Sequence, residues 1–576
     1  MNSRTRARMA VSAVVTAGLC LAGTAALATP SQAATGTCDT AYPVADLTAG
    51  QTVTGLTVTQ GTTPGDFGGS IIGVLHDGIE PGVDMVMATL SSPEIAANGI
   101  WEGMSGSPVY DEGTGELIGA VAYTLSYGET QVAGITPWAD MQSYAGHPAP
   151  PTLKVPASAA RAIARATSVS VAQASQGFTE VATPQLVSGL SQRTLDRSHG
   201  KHGRAYLPHG VSAAGRTAAG SVTADDMVAG GNLVATMSTG DIVQAGLGTV
   251  TSVCGDRVVG FGHPMNFVGA TTYGLAGADA LYVQGDPLGA SFKVANIGDV
   301  LGTIDQDRMT GISGPLGVLP ASLPITSALT YTPDSGAARS RTGTSDVQQQ
   351  QSAAATAYYE NIANHQAVLD AYQGGSEEQS WTVDGHTAAG PFHFAGGNRY
   401  TDVNDVADAA SWDLPDLVYL LTNIAGVTID HVDIHSAVSD DTSTLKIAGL
   451  QQLRGGHWRT VGKGRPALVT AGHALRMRLV FNDGSKGKKF GVAVPRKAAG
   501  LQGRIDAFPA EGYPFEQSMP HQVSGVRKLV DHMQRNDQAQ ISFSAFGGER
   551  SLTSSTMTRA QHEVIEGHAA VRVRIS

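Results

Sequence analysis

The chain has 576 residues, of which 42% are hydrophobic, only 15% are charged and 71 are glycine. That length is more than one ordinary core organises, so two or three domains are expected, and the apolar content excludes wholesale disorder. Glycine among short Val and Thr runs favours many short strands over a helical bundle, and a net charge of −12 argues against nucleic acid as the main partner, since phosphate binding needs a basic surface.

The first residues read as an address. Arg4, Arg6 and Arg8 precede the apolar run Met9 to Ala26, and Ser31-Gln32-Ala33 supplies a small-x-small cleavage site. A retained anchor is the other reading of this run. The run is short and laced with Ala, Gly and Thr, so cleavage after Ala33 is expected, with residues 1–33 as signal peptide. No later segment reaches ~18 continuous apolar residues, so no transmembrane segment is expected after cleavage. The mature chain would carry 34 basic and 49 acidic residues, net −15, and reads as a soluble, secreted protein. Cys20 leaves with the leader, so Cys38 and Cys254 remain as one possible pair. In an oxidising compartment such a pair is usually joined; the alternative is two buried free thiols.

Residues 34–150 read as strands: Thr52 to Val58, Ser70 to Leu75, Met85 to Leu90 and Leu117 to Tyr123, with Gly and Pro between them. Residues 151–220 read as a linker crossing the surface, with one Ala-rich helix near Ala159 to Ala166 and then a Gly/His stretch. Residues 221–335 form a second strand-rich block. There Gly248 to Val253, the turn Cys254-Gly255-Asp256-Arg257 and Val258 to Phe261 signal a hairpin. Residues 336–425 are polar and low in complexity, with Gln348 to Gln351 in a row, and read as a helical or flexible insertion. Alternating strands return over 426–576, as in Ala474 to Phe481, and this block reads as a β-sandwich.

The sharpest motif is Gly103-Met104-Ser105-Gly106-Ser107-Pro108. Glycines around a serine allow a tight turn that presents the hydroxyl, while nearby N–H groups can face a developing oxyanion. The pattern parallels the Gly-Asp-Ser-Gly-Gly-Pro loop of trypsin-like proteases, which makes Ser105 the nucleophile and the N–H groups of Gly103 and Ser105 the oxyanion donors. Gly-x-Ser-x-Gly of the α/β-hydrolases fits less well, because Ser107 fills the last glycine and a strand follows where a helix should. The plainer reading is a glycine-rich β-turn. A serine nucleophile needs a base, and His263, in Phe261-Gly262-His263-Pro264-Met265, stands where the hairpin strand gives way to a turn.

Together the two segments resemble the SpoIVB-type serine peptidases, the family of the stage IV sporulation protein B. Glu102 to Val109 resembles the family's serine loop, Leu117 to Tyr123 and Ala133 to Trp138 continue the likeness, and Gly248 to Pro264 resembles its histidine segment. Asp307-Arg308-Met309-Thr310-Gly311-Ile312 is similar as well, so the resemblance spans roughly residues 48 to 320. It implies a mostly β fold, a chymotrypsin-like double β-barrel in rearranged order followed by the C-terminal block. It also implies peptide-bond hydrolysis by Ser105 with His263 as general base. The sporulation peptidase has histidine before serine, whereas here Ser105 comes first. Its aspartate upstream of the serine has no counterpart in Leu90-Ser91-Ser92-Pro93-Glu94, and no PDZ module is evident. Asp84, Asp241 and Asp307 are positional substitutes. Asp307 is the nominee for the triad acid, against the reading that it pairs with Arg308 or caps a turn, and a dyad without an acid is the other arrangement.

Val469-Thr470-Ala471-Gly472-His473-Ala474 imitates a protease histidine loop, but alternation of Leu475, Met477 and Leu479 with Arg476 and Arg478 marks a half-solvated strand, so His473 is read as a turn residue. His199, His202 and His209 are read as solvated linker, and no metal site or cofactor is expected. The expected function is a secreted serine endopeptidase acting on a protein or peptide, the C-terminal block holding a cell-wall or protein partner. The alternative is a non-catalytic binding or scaffold protein on a degenerate peptidase fold.

Overall fold

The computed structural model describes residues 38–125, 130–143, 152–153, 155–167, 169–181, 183–202, 204–286, 290–510, 519–547 and 550–576. The expected leader, 1–33, lies outside them. The fold is mostly β.

Alternation in Thr52–Thr57 buries Val53 and turns Thr52 and Thr54 outward, so the strand has one face for a core. It pairs antiparallel with Gly65–Glu80 and with Pro108–Asp111. From Gly65–Glu80 the antiparallel ladders continue through Val83–Ser91, Val132–Pro137 and Leu117–Leu125, and the last returns to Pro108–Asp111. Phe67, Val86, Leu90, Trp101, Met104, Val109 and Ile135 belong to one core cluster there.

The expected hairpin forms, with Cys254 opposite Arg257. Its strands, Val243–Cys254 and Arg257–Gly260, belong to a closed six-stranded antiparallel barrel with Gly311–Pro315, Phe292–Arg308, Gly269–Gln284 and Asn232–Gly240. Closure leaves no edge among these six strands.

The crossing segment has more structure than its composition suggests. Ala157–Ala166 is the expected helix, but Gln185–Ser188 pairs with the strand beginning at Val243, and Gln192–His202 is helical, so a helix stands where the linker with His199 and His202 was expected. The insertion expected over 336–425 also departs from a flexible tract. Arg339–Val347 and the hairpin Gly375–Thr387 with Gly390–Asp402 extend the barrel sheet, through Leu323–Thr332 and Thr428–Ser439. Helix Ala353–Leu369 lies against this sheet with Ala353, Ala354 and Ala357 in the core beside Trp381 and Val383. Small side chains there permit close approach of helix to sheet, so what reads as low complexity is packing.

Beyond Leu445 two five-stranded sheets enclose one core that includes Leu450, Met477, Phe481, Ile505 and Phe543. Cys38 and Cys254 are joined in a disulfide, their Cα atoms 4.4 Å apart. The bridge starts a strap across the first block: Trp138 Nε1–H donates to Asp39 O, Leu117 N–H to Thr40 O and Tyr42 N–H to Leu117 O. No described helix is long and apolar enough to cross a membrane.

Candidate active site

The serine loop is a turn only glycine can make. Gly103 and Gly106 have φ of +91° and +100°, and a Cβ on Gly106 would lie 2.0 Å from Thr249 O and 2.6 Å from Phe261 N. Met104 N–H donates to Trp101 O, Ser107 N–H to Met104 O, and Gly106 N–H to Val121 O. The opposite side is tied to the barrel strand Val243–Cys254: Thr249 N–H donates to Ser105 O at 2.8 Å, Thr249 Oγ1 to Gly103 O at 3.0 Å and Thr251 Oγ1 to Gly106 O at 2.7 Å. Every carbonyl and N–H of this turn that those bonds name is satisfied. The N–H groups of Gly103 and Ser105 have no acceptor among the described residues, although both residues are buried. Buried backbone donors without partners are rare.

Ser105 is 0% exposed, and its Oγ also has no hydrogen-bond partner among the described residues. His263 is 2% exposed and its Nε2 is equally unpartnered, so no hydrogen bond joins the two atoms in this state. Their backbones converge on one strand, Leu117–Leu125. Gly106 N–H bonds Val121 O at 2.7 Å, and a Cβ on Gly262 would lie 3.4 Å from that same oxygen. Thr136 Oγ1 closes the arrangement by donating to Gly262 O at 2.6 Å.

His263 is presented by strained backbone. Phe261 and Gly262 have φ of +69° and +72°, an unusual conformation for a bulky residue such as phenylalanine, and Phe261 is fully buried. His263 Nδ1 lies 2.7 Å from Pro264 O. A carbonyl only accepts, so the contact places a proton on Nδ1, and in the neutral imidazole the lone pair is then on Nε2. That tautomer is the one a general base needs.

Asp307 stands beside this turn in another role. Its Oδ1 accepts Met265 N–H at 2.8 Å, and its Oδ2 accepts Asn266 N–H at 2.9 Å and Tyr273 O–H at 3.2 Å. The carboxylate moors residues 265–268, and the partner of His263 Nδ1 is a backbone carbonyl. In this structure Asp307 therefore holds the turn-capping position, and not the hydrogen bond to His263 Nδ1 that the triad-acid expectation requires. Asp84 faces His76 and Asp241 faces Arg341, and His473 is exposed in a turn of the C-terminal sheets.

Two charged residues that sequence reasoning passed over abut the serine loop. Lys293 is fully buried; its N–H donates to Glu102 O at 3.0 Å, and its Cβ lies 3.1 Å from where a Cβ on Gly103 would stand. Its Nζ donates to Asn232 Oδ1 at 2.9 Å, and burial pulls its pKa down to about 7. Glu102 is half-buried and pushed up to about 7, by burial first and by the charge of Asp286 second. The signal for Lys293 was present: it occupies the inward phase of Lys293, Ala295 and Ile297 on an alternating strand. No group of three or more metal-ligating side chains occurs among the described residues.

Comparison with known proteins adds no identification: no family model, no curated protein and no solved structure matches the chain.

Proposed function

We propose that the chain is a serine endopeptidase of the SpoIVB type, on a chymotrypsin-like double barrel whose serine half precedes its histidine half. Ser105 Oγ attacks the scissile carbonyl, His263 Nε2 takes its proton, and the N–H groups of Gly103 and Ser105 receive the oxyanion. The proton then passes to the leaving amine, and water releases the acyl group by the same steps in reverse. The Pro264 carbonyl fixes the tautomer in place of an acid, so the machinery is a dyad. What carries this reading is one coincidence: a serine hydroxyl, a histidine nitrogen and the two N–H groups nominated as donors are all buried and unpartnered within adjoining turns. Polar atoms left open together in a core have a use.

With Ser105 at 0% and His263 at 2% exposure, the structure is a closed state that has to part before a peptide enters. That same burial favours a second reading, a non-catalytic scaffold on this fold. A fluorophosphonate probe distinguishes them. Labelling localised to Ser105 by peptide mass spectrometry, absent in Ser105→Ala and strongly reduced in His263→Gln, supports the peptidase. A folded protein that stays unlabelled across pH 6 to 9, with and without mild denaturant, overturns it.

A further inference from the structure

The charge of this chain is sharply divided. Residues 442–505 hold thirteen Lys and Arg and one carboxylate, Asp483, a net of +12, so the remainder of a chain of net −12 carries −24. Among the described residues only Arg504 of the thirteen is ion-paired, to Asp506. The region forms most of the sheet built from His457–Val461, Leu445–Arg454, Ala474–Phe481 and Phe490–Ala493.

Alternation sets which side chains face out. Leu475, Met477, Leu479 and Phe481 enter the core, so Arg476 and Arg478 stand on the outer face. Arg478 lies in register with Gln451, which is opposite Thr460. Its Nε and Nη2 both donate to Gln451 Oε1, at 2.9 and 2.8 Å, and its guanidinium lies 4.3 Å from the ring centre of Trp458. The guanidinium is thus fixed with its remaining donors uncommitted, a state suited to an anionic oxygen pair. Arg476 lies opposite Gly491, where no side chain covers it. Lys488 and Lys489 are exposed on the segment entering the neighbouring strand.

We propose that this outer face, with Arg476, Arg478, Lys488, Lys489 and Trp458, binds an anionic polysaccharide. The surface presents clustered cations with no carboxylate on these four strands, and Glu566 of the short fifth strand lies at the edge opposite Lys446, away from Arg476 and Arg478; such a surface suits a polymer with repeating negative charge. Duplex nucleic acid fits less well, because a stiff rod extending past the sheet meets a body of −24, whereas a flexible glycan follows the sheet alone. Single-stranded nucleic acid is bound on several stacked aromatics, and among the described residues Trp458 is the one aromatic on this face. A single half-buried indole beside fixed cations suits a sugar ring and its charged substituent.

The test uses the full chain and fluorescent dextran sulfate, with neutral dextran of equal length, single-stranded DNA of equal charge, and light scattering as companions. Binding of dextran sulfate but not neutral dextran is expected, weakening steeply between about 50 and 150 mM salt. Arg476→Gln/Arg478→Gln/Lys488→Gln/Lys489→Gln should weaken it about tenfold or more, while Arg572→Gln/Arg574→Gln, on the other sheet, should change it less than about threefold. Equal losses in the two variants would show undirected charge attraction. DNA bound as tightly as dextran sulfate, or salt-sensitive self-association abolished by the fourfold variant, would assign the face to nucleic acid or to a second copy. Each of these results overturns the proposal.

Discussion

Replacing Asp307 by asparagine separates two roles for one carboxylate. Asparagine keeps one acceptor oxygen and puts an N–H2 group where the other stood. Oδ2 serves Asn266 N–H at 2.9 Å and Tyr273 O–H at 3.2 Å, while Oδ1 serves Met265 N–H at 2.8 Å. Whichever way the amide turns, at least one donor loses its acceptor and faces another donor: either the part-buried Met265 N–H, or Asn266 N–H together with the buried Tyr273 O–H. A buried donor left unsatisfied costs about 1–3 kcal/mol, so one or two of them cost about 1–6 kcal/mol, the low end applying where only the part-buried Met265 N–H is lost. Opening of the 264–268 turn should then become about fivefold more frequent or greater, at 1.4 kcal/mol per decade. Hydrogen exchange followed by mass spectrometry on peptides covering residues 261–270 reads this directly, and the whole chain should unfold at lower urea. Turnover should fall through the displaced His263 and recover partly on cooling or with stabilising salt. If exchange and urea stability are unchanged while turnover drops by about four orders of magnitude, the loss seen when a triad acid is removed, then Asp307 acts on the imidazole and the mooring role is wrong.

Gly106→Ala forces a Cβ to within 2.0 Å of Thr249 O at a φ of +100°, and should cost about 3 kcal/mol or more and abolish probe labelling; urea melting at wild-type values would refute the turn geometry. Lys293 titrates near 7 when folded and near 10.4 when unfolded, so the unfolded chain binds the extra proton between those values and stability rises with pH across that window. Lys293→Met removes the slope, and the wild type should gain about 2 kcal/mol relative to the variant between pH 7.5 and pH 9 in urea titrations; parallel curves would count against a neutral buried amine. The disulfide closes a separation of 216 residues, so Cys38→Ser should lower stability by about 2–5 kcal/mol and raise exchange in residues 39–47, whereas two alkylatable thiols in non-reduced protein would disprove the bridge.

What the sequence revealed were features with local causes. The serine loop was legible because a glycine at each positive φ and a proline at its end leave a residue-type signature in six positions. The Cys254-Gly255-Asp256-Arg257 turn was legible because Gly255 supplies the φ of +65° that a tight hairpin needs. Helix Ala353–Leu369 was legible only as one of two alternatives, helical or flexible, for the opposite reason. It is buried on nearly every side, from Tyr358 and Tyr359 to Asn364 and His365, so it shows no apolar stripe against a polar one, and that contrast is the periodic signal of a helix. Its polar residues are inside because they have partners there: Asn364 Nδ2 donates to Ser327 O, and His365 lies between Asn361 O and Glu377.

The choice between the two roles of Asp307 was beyond reach because it depends on register. The ladder between Gly269–Gln284 and Phe292–Arg308 shifts at four places, between Ala270 and Tyr273, Leu275 and Ala276, Ala276 and Ala278, and Ala280 and Tyr282. Each irregularity re-aims the side chains beyond it, so counting forty-odd residues from His263 gives no face. The accumulated register sets Asp307 opposite Gly269, directly under the turn it holds. The group that does orient His263 is a backbone carbonyl, and every residue has one. Only its surroundings mark it: a strained Phe261, a glycine, and Pro264, which restrains His263 to extended conformations. An orienting acid can be sought among aspartates in a sequence. An orienting carbonyl is selected by the shape of the turn, and that shape depends on the carboxylate of Asp307 accepting the next two amides.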